Sequence, residues 1–322
     1  MLDASAFDRL YRPGAFARKA WDFARAGTTR LAQVIAAAHA DVVLVHREVW
    51  PLAGMVHEEV LRGCNPRFVF DLDDAVYLPN VSQANRSVGF LKSAGKSAWL
   101  ARHAAAVSAG NRFLADWAVR EGADAKDVFL VPTAVDTDAW RPGPGPSGPP
   151  TLGWIGSHST VGYLDPLRPT FAELGRRVPG IRLRVIGAAF ACPGIEVESV
   201  PWSLATEVDA LAGVTVGLAP LPDDEWSRGK CGLKVLQYMA LEKPVVSSRV
   251  GANADIVVEG VTGLFADGES AWLEAVTALL GSASDRSRMG RAGRERVERE
   301  YSLRATEPRL AQALLHAAGV LA

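Results

Sequence analysis

The sequence predicts an α/β protein of two domains, each a parallel sheet covered by helices, with the two sheets facing across a cleft. Three observations carry this. Short apolar runs without polar alternation recur along the chain, helical stretches separate them, and a Pro/Gly-dense segment divides the series in two. Strands covered on both faces are apolar throughout, and strand–helix alternation builds parallel sheets through right-handed crossovers. Length agrees: 322 residues exceed the roughly 250–300 at which a single core stops growing.

The expected strands of the first domain are Val42–His46, Phe68–Leu72, Ala104–Val107 and Val128–Val131. Those of the second are Leu152–Ile155, Leu183–Ile186, Val214–Ala219 and Val245–Ser247, with helices such as Leu233–Leu241 and Ala271–Leu280 between or after them. The divider is Arg141-Pro-Gly-Pro-Gly-Pro-Ser-Gly-Pro-Pro150, too rich in Pro and Gly for a helix or an interior strand. This gives a first domain at 1–140, a linker at 141–150, a second domain at 151–304, and a closing helix at 305–322 that packs back on the first domain. A literal G-x-G-x-x-G at Gly143, Gly145 and Gly148 is read as accidental. It has no strand before it, and its prolines remove N–H groups that a phosphate would use.

Composition narrows the function. Hydrophobic residues make up 48% and charged residues 22%, with a formal net charge of −1, a globular balance without the basic excess of a nucleic-acid binder. Cys64, Cys192 and Cys231 are far apart and form no C-x-x-C pair, so neither a disulfide framework nor a zinc site is indicated. The chain has no apolar run of the ~20 residues that span a bilayer and no signal-peptide pattern; the expected location is the cytoplasm. Two regions are basic. Residues 1–30 hold six Lys or Arg against three Asp, interleaved with Phe7, Leu10, Tyr11, Phe16, Trp21 and Phe23, and residues 285–309 hold eight Arg against five acids. A solvated helix face is the plainer reading of both; peripheral contact with an anionic membrane is the sharper one.

The most informative stretch is Arg228–Val246, where a glycine-bearing turn leads into a short helix and then a strand. With a helix starting near Gly232, Lys230, Lys234 and Gln237 form one polar stripe, and Leu233, Leu236 and Ala240 the opposing apolar side. The helix amino terminus offers free N–H groups, and Gly229 and Gly232 let a phosphate approach the backbone. Arg228, Lys230 and Lys234 add the charge a diphosphate needs. A second element, Gly153-Trp-Ile-Gly-Ser157, runs a strand into Gly156 and Ser157, presenting N–H groups at a sheet's carboxyl end. An ordinary surface helix bearing lysines is the competing structural reading.

From Thr151 to about Arg304 the sequence resembles the carboxy-terminal domain of family 4 glycosyltransferases, which have the GT-B fold of two Rossmann-like domains. The residues that carry the resemblance are Gly153-Trp-Ile-Gly-Ser157, Val216-Gly-Leu-Ala-Pro-Leu-Pro222, Gly229-Lys-Cys-Gly-Leu-Lys234, Tyr238-Met-Ala240, Pro244-Val-Val246, Val250-Gly251 and Glu259-Gly-Val-Thr-Gly-Leu264. Asp41-Val-Val-Leu-Val-His46 and Val131-Pro-Thr-Ala-Val-Asp136 extend it more weakly into the first half. The resemblance implies a retaining, metal-independent transferase with no cofactor, taking a sugar from a nucleoside diphosphate to a glycan, lipid or small-molecule acceptor. The donor and its diphosphate fall to Gly156, Ser157, Arg228, Lys230, Gly232, Leu233, Lys234 and Gln237. The family's paired glutamates are here Gly229 and Gln237, as in a branch with Gly-Lys-Cys at this point. Gln237 keeps a hydrogen bond for ribose, while Gly229 offers the sugar no side chain. A degenerate homologue that binds nucleotide sugar without turnover is therefore an alternative. The family's opening strand and Gly-rich loop are also replaced by the basic aromatic stretch, which implies a trimmed first domain or a start lying upstream.

Phe68-Val-Phe-Asp-Leu-Asp-Asp-Ala-Val-Tyr77 sets three carboxylates at a strand end. Under the transferase reading Asp71 and Asp73, with His46 at the end of the preceding strand, are the catalytic candidates on the acceptor side. The same run resembles the first motif of haloacid dehalogenase phosphatases, with Asp71 as nucleophile and Asp73 as general acid. A third reading is a metal-binding Asp-x-Asp. His46 also has a plain structural reading, since imidazole pairs readily with backbone.

Overall fold

The computed structural model describes residues 14–51, 54–78, 95–143 and 148–320. It divides into two compact units, residues 1–131 with 309–322, and residues 132–308. The division falls at Val131/Pro132, ahead of the Pro/Gly segment, and again within the final helix, Leu303–Ala317, at Pro308/Arg309. Residues 1–13, with Phe7, Leu10 and Tyr11 of the basic stretch, lie outside the described residues, as do 144–147 with Gly145 of the glycine motif.

The first unit holds a parallel sheet in the order β1 (Val43–His46), β2 (Phe68–Leu72), β3 (Ala106–Ala109), β4 (Val128–Leu130). Strand β2 is central because its apolar run suits burial on both faces: Phe68, Val69, Phe70 and Leu72 are each 0% exposed. Strand β3 begins two residues later than the sequence predicts. Ala104 N still donates to Leu100 O at 2.9 Å, closing the preceding helical turn, and Ala105 N is the first to reach strand β2, donating to Phe68 O at 2.9 Å. Helix Arg112–Arg120 starts where Asn111 Oδ1 accepts from Leu114 N at 2.9 Å, a side-chain cap. The end of the last helix packs Ala313 and Ala317 on Val69 and Ala106, and His316 Nε2 meets Asp127 Oδ1 at 2.8 Å. On helix Phe16–Ala36, Phe16 and Trp21 are exposed, whereas Phe23 meets Trp50 edge to face.

The second unit holds a six-stranded parallel sheet, β10-β9-β8-β5-β6-β7. Its strands are β5 (Thr151–Ile155), β6 (Arg182–Ile186), β7 (Glu196–Val200), β8 (Val216–Ala219), β9 (Val245–Ser247) and β10 (Gly263–Phe265). The two outer strands, β7 and β10, are absent from the sequence reading. Glu196-Val-Glu-Ser-Val200 is a half-exposed edge strand with polar alternation, and Gly263-Leu-Phe265 is only three residues long. Neither resembles a buried run.

Helix Leu233–Ala240 packs on this sheet through Tyr238. The Tyr238 hydroxyl accepts from Ile155 N and donates to Leu218 O, both at 3.2 Å, so it ties β5 to β8 from within the core. Its ring fits because residue 217 is glycine: a Cβ there would stand 2.4 Å from the ring. Among the described residues, no helix is long and apolar enough to cross a membrane.

Candidate functional site

Strand order reverses between β5 and β8: β5 leads outward through β6 to β7, and β8 leads the other way through β9 to β10. At such a switch point the loops beyond the two carboxyl ends diverge and leave a crevice, the usual ligand position in open α/β sheets. Here the flanking loops are Gly156-Ser157 after β5 and the long connection from Pro220 to Gly232 after β8.

That connection is held by close backbone approaches. Asp224 Oδ1 caps the short helix Glu225–Arg228 by accepting from Ser227 N at 2.7 Å. Gly232, at φ 73°, precedes helix Leu233–Ala240, and a Cβ there would stand 2.3 Å from Ile256 Cδ1. Both the left-handed backbone and the lack of space require glycine. The first N–H groups of the following helix have no partner within the helix itself.

The structure corrects the polar stripe. The helix begins at Leu233, so Lys230 lies in the preceding loop. Leu233 does not belong to the apolar face; it is 47% exposed, because the first residue of a helix entered from an open loop has nothing packed over it. Gln237 is buried at 7% exposure rather than lying on a solvated stripe.

Lys234 is the central cation. Its Nζ rests 4.0 Å from the centroid of the Trp154 ring and 2.7 Å from where a Gly156 Cβ would stand. Among the described residues it has no carboxylate in ion-pair contact. Burial, and next the charge of Lys230, lower its pKa from 10.5 to about 7. Lys230 Nζ itself lies 4.8 Å from the Trp226 ring centroid. Arg228 is differently placed: its guanidinium is bidentate to Asp223 at 2.6 and 3.0 Å in an exposed pair, which raises the pKa of Arg228 and lowers that of Asp223. Ser157 is exposed, its Oγ 2.8 Å from Ser159 Oγ.

Two tryptophans to which the sequence assigns no role in the site complete this edge. Trp154 is fully buried beneath Lys234, and its Nε1 has no hydrogen-bond partner among the described residues. Trp202 follows β7 and is 53% exposed, with Nε1 donating to Oε2 of the buried Glu207 at 2.8 Å. Gly187 links the strand ends: Gly156 O and Trp202 Cβ stand 2.2 and 3.2 Å from the position its Cβ would take. The available signal was positional, each tryptophan lying at or just past the end of a strand.

In the first unit, His46, Asp71 and Asp73 do come together. His46 Nδ1 is 2.8 Å from Asp71 Oδ2, and Asp71 Oδ1 accepts from Ser108 Oγ at 2.8 Å. Arg47, at φ 65°, donates twice to Asp73, at 2.7 and 2.8 Å, and this pairing raises its pKa. Both oxygens of each carboxylate are therefore engaged. That geometry disfavours Asp71 as a phosphatase nucleophile, and no group of three His, Cys, Asp or Glu among the described residues is arranged to hold a metal ion.

Comparison with known proteins agrees with this layout. Residues 149–282 match the family described as glycosyl transferases group 1. A D-inositol 3-phosphate glycosyltransferase of Segniliparus rotundus is 26% identical over 221 residues, 58% of this chain and 48% of that protein. Another, of Nocardia farcinica, is 29% identical over 203 residues, 53% of this chain and 43% of that protein. The chain thus spans about half the length of the curated relatives it matches. Among solved structures, Anabaena HepE in complex with UDP and glucose superposes with a TM-score of 0.67 at 14% identity, over 88% of this chain and 80% of that one. Sucrose-phosphate synthase of Thermosynechococcus elongatus gives 0.69 at 16% identity, over 90% and 77%. The shared fold is GT-B, two Rossmann-like α/β domains with parallel sheets.

Proposed function

We propose that this chain, with its GT-B fold and its group 1 glycosyltransferase match over residues 149–282, transfers a sugar from a nucleoside-diphosphate sugar to a hydroxyl-bearing acceptor. The observation that carries the reading is Lys234, which among the described residues meets no carboxylate, held at the switch point between Gly156 and Trp154. A cation left uncompensated beside an open helix amino terminus is arranged for an anion that arrives from outside.

In this reading the diphosphate lies against the N–H groups at Gly232–Lys234, with Lys234 and Lys230 neutralising it. The bond between the sugar's anomeric carbon and the phosphate oxygen breaks, and its electron pair leaves on the nucleoside diphosphate. The acceptor oxygen bonds that carbon and passes its proton to the departing diphosphate oxygen. Fixed positive groups aimed at the departing diphosphate do the work that a metal ion does elsewhere, so metal independence is part of the proposal, as is transfer with retention. Gln237 serves the ribose. Trp202, an exposed ring locked by Glu207, offers the base a flat surface two strands, about 10 Å, from β5. His46, Asp71 and Asp73 serve the acceptor in the first unit. The curated relatives point to a polyol phosphate as one acceptor class to try.

Thermal-shift titration with UDP, GDP, ADP and their sugars tests donor binding, because a ligand bound only by the native state raises its apparent stability. Stabilisation by one nucleotide family is expected, followed by slow hydrolysis of its sugar. Stabilisation by none would sink the donor site. Binding without any turnover would instead favour a non-catalytic nucleotide-sugar binder, the reading that Gly229 keeps open by giving the sugar no side chain.

A further inference from the structure

The carboxyl ends of three adjacent strands in the first unit carry one polar residue each. His46 ends β1, Asp71 lies in β2 and Ser108 in β3, and the register pairs His46 with Asp71 and Asp71 with Ser108. Neighbouring strands stand about 4.8 Å apart, so register partners on one face meet through short side chains without any loop to place them. The result is a line of two hydrogen bonds with Asp71 at its centre, 2.8 Å to Ser108 Oγ and 2.8 Å to His46 Nδ1.

The two ends of the line differ. Ser108 is 0% exposed, and a buried hydroxyl must keep its hydrogen bond or bear the cost of desolvation. Its donation fixes one carboxylate oxygen of Asp71 and with it the plane of the other. The His46 side chain is 56% exposed. A carboxylate on Nδ1 of a neutral imidazole makes Nδ1 the protonated nitrogen and leaves Nε2 as an acceptor. The other charged groups beside His46 are Asp73, whose Oδ2 is 3.9 Å from Nε2, and Arg47, which neutralises Asp73 through its two hydrogen bonds and also feels the charge of Asp74.

We infer that Ser108, Asp71 and His46 form a tautomer-setting line, in which Ser108 is a positioning residue and His46 Nε2 accepts a hydrogen bond from a hydroxyl of the acceptor substrate. The identity of the ligand rests on the transfer proposed above; the tautomer and the part played by Ser108 do not.

Long-range 1H–15N correlation of the imidazoles in the full-length protein, with His46 assigned through His46→Gln, reads the line directly. Expected is a neutral His46 protonated on Nδ1, a mixture of tautomers in Ser108→Ala, and recovery of the single tautomer in Ser108→Thr. A His46 protonated on Nε2, or a Ser108→Ala spectrum identical to wild type, would overturn the inference. Circular dichroism and the dispersion of the backbone amide spectrum check that each variant is folded.

For the substrate contact, hydrolysis of the best-binding sugar nucleotide is followed with water and with added glycerol as hydroxyl acceptors. His46→Gln is expected to lower turnover by at least about tenfold, and Ser108→Ala by less, with a displaced pH profile. Donor stabilisation stays at the wild-type value in both. Equal turnover in His46→Gln and wild type would remove His46 from the acceptor site. A wild-type protein that binds nucleotide but hydrolyses none would refute the transfer reading, while the NMR result still decides the line.

Discussion

The Lys234 ammonium lies 4.0 Å from the centroid of the Trp154 ring, and that one contact joins the core of the second unit to its candidate site. The indole is fully buried, so it cannot swing away, and its face attracts a cation. The same ring and ammonium fill the space a side chain at position 156 would need. Gly156 is therefore required twice, for the loop's access to a ligand and for the position of Lys234.

Binding of a diphosphate should be linked to protons through Lys234. Its pKa in the folded protein is about 7, well below the 10.5 of an exposed lysine, because burial disfavours the charged form. Between about 7 and 10.5 the folded protein binds fewer protons than the unfolded chain. The stability of the ligand-free protein therefore rises with pH through that window, and the full cost of charging Lys234 is felt below it. A diphosphate needs the charged form, so nucleotide affinity should fall by up to about tenfold per unit as pH rises above 7. Calorimetric titration in buffers of different ionisation enthalpy should show proton uptake at pH 8, absent in Lys234→Arg. A wild-type affinity flat from pH 7 to 9 would contradict this.

Gly156→Ala should weaken nucleotide binding without losing the fold. The added Cβ would meet Trp154 Cη2 at 2.4 Å and Lys234 Nζ at 2.7 Å. The indole is confined, so the lysine must move. Overpacking of this kind costs about 1–3 kcal/mol, and affinity should drop by roughly tenfold, the effect of about 1.4 kcal/mol. Circular dichroism and nucleotide titration would check both halves.

The central strands and the lysine loop were legible in the sequence because burial leaves a compositional trace. Phe68–Leu72 and Val245–Ser247 lie at their predicted positions. Edge strands leave a weaker trace, since β7 faces solvent and mixes Glu with Val. Side-chain partners leave none: that Arg228 is paired with Asp223, or that Ser108 meets Asp71, depends on register and loop path. Leu233 shows the same limit, its hydrophobicity pointing inward and its place at the helix start leaving it outside.

Tyr238→Phe should destabilise the second unit without touching the ligand. The hydroxyl satisfies Ile155 N and Leu218 O, both at 3.2 Å, and removing it leaves buried backbone groups short of a partner. The cost should be about 1–3 kcal/mol, read as a lower urea midpoint at unchanged slope. Nucleotide affinity should stay within about twofold of wild type, because the hydroxyl faces the sheet rather than the crevice. A larger loss of affinity would mean that the β5–β8 tie also sets the position of Gly156.

Arg228 and Lys234 should differ sharply on truncation, although both are basic and close in sequence. Arg228 already engages its guanidinium on Asp223 in an exposed pair, which water and salt screen. For Arg228 to hold a diphosphate, that pair must open, which offsets part of any gain. Lys234 has, among the described residues, no carboxylate to give up on binding. Lys234→Ala should therefore weaken nucleotide binding by at least about tenfold, within the roughly 1.5–3 kcal/mol of a charge-assisted hydrogen bond, and Arg228→Ala by less than about threefold. Asp223→Asn releases the guanidinium and should tighten binding or leave it unchanged. Titration of the three variants with the same nucleotide separates these outcomes. A larger loss in Arg228→Ala than in Lys234→Ala would move the diphosphate out of the Gly156 crevice and toward the short helix at Glu225.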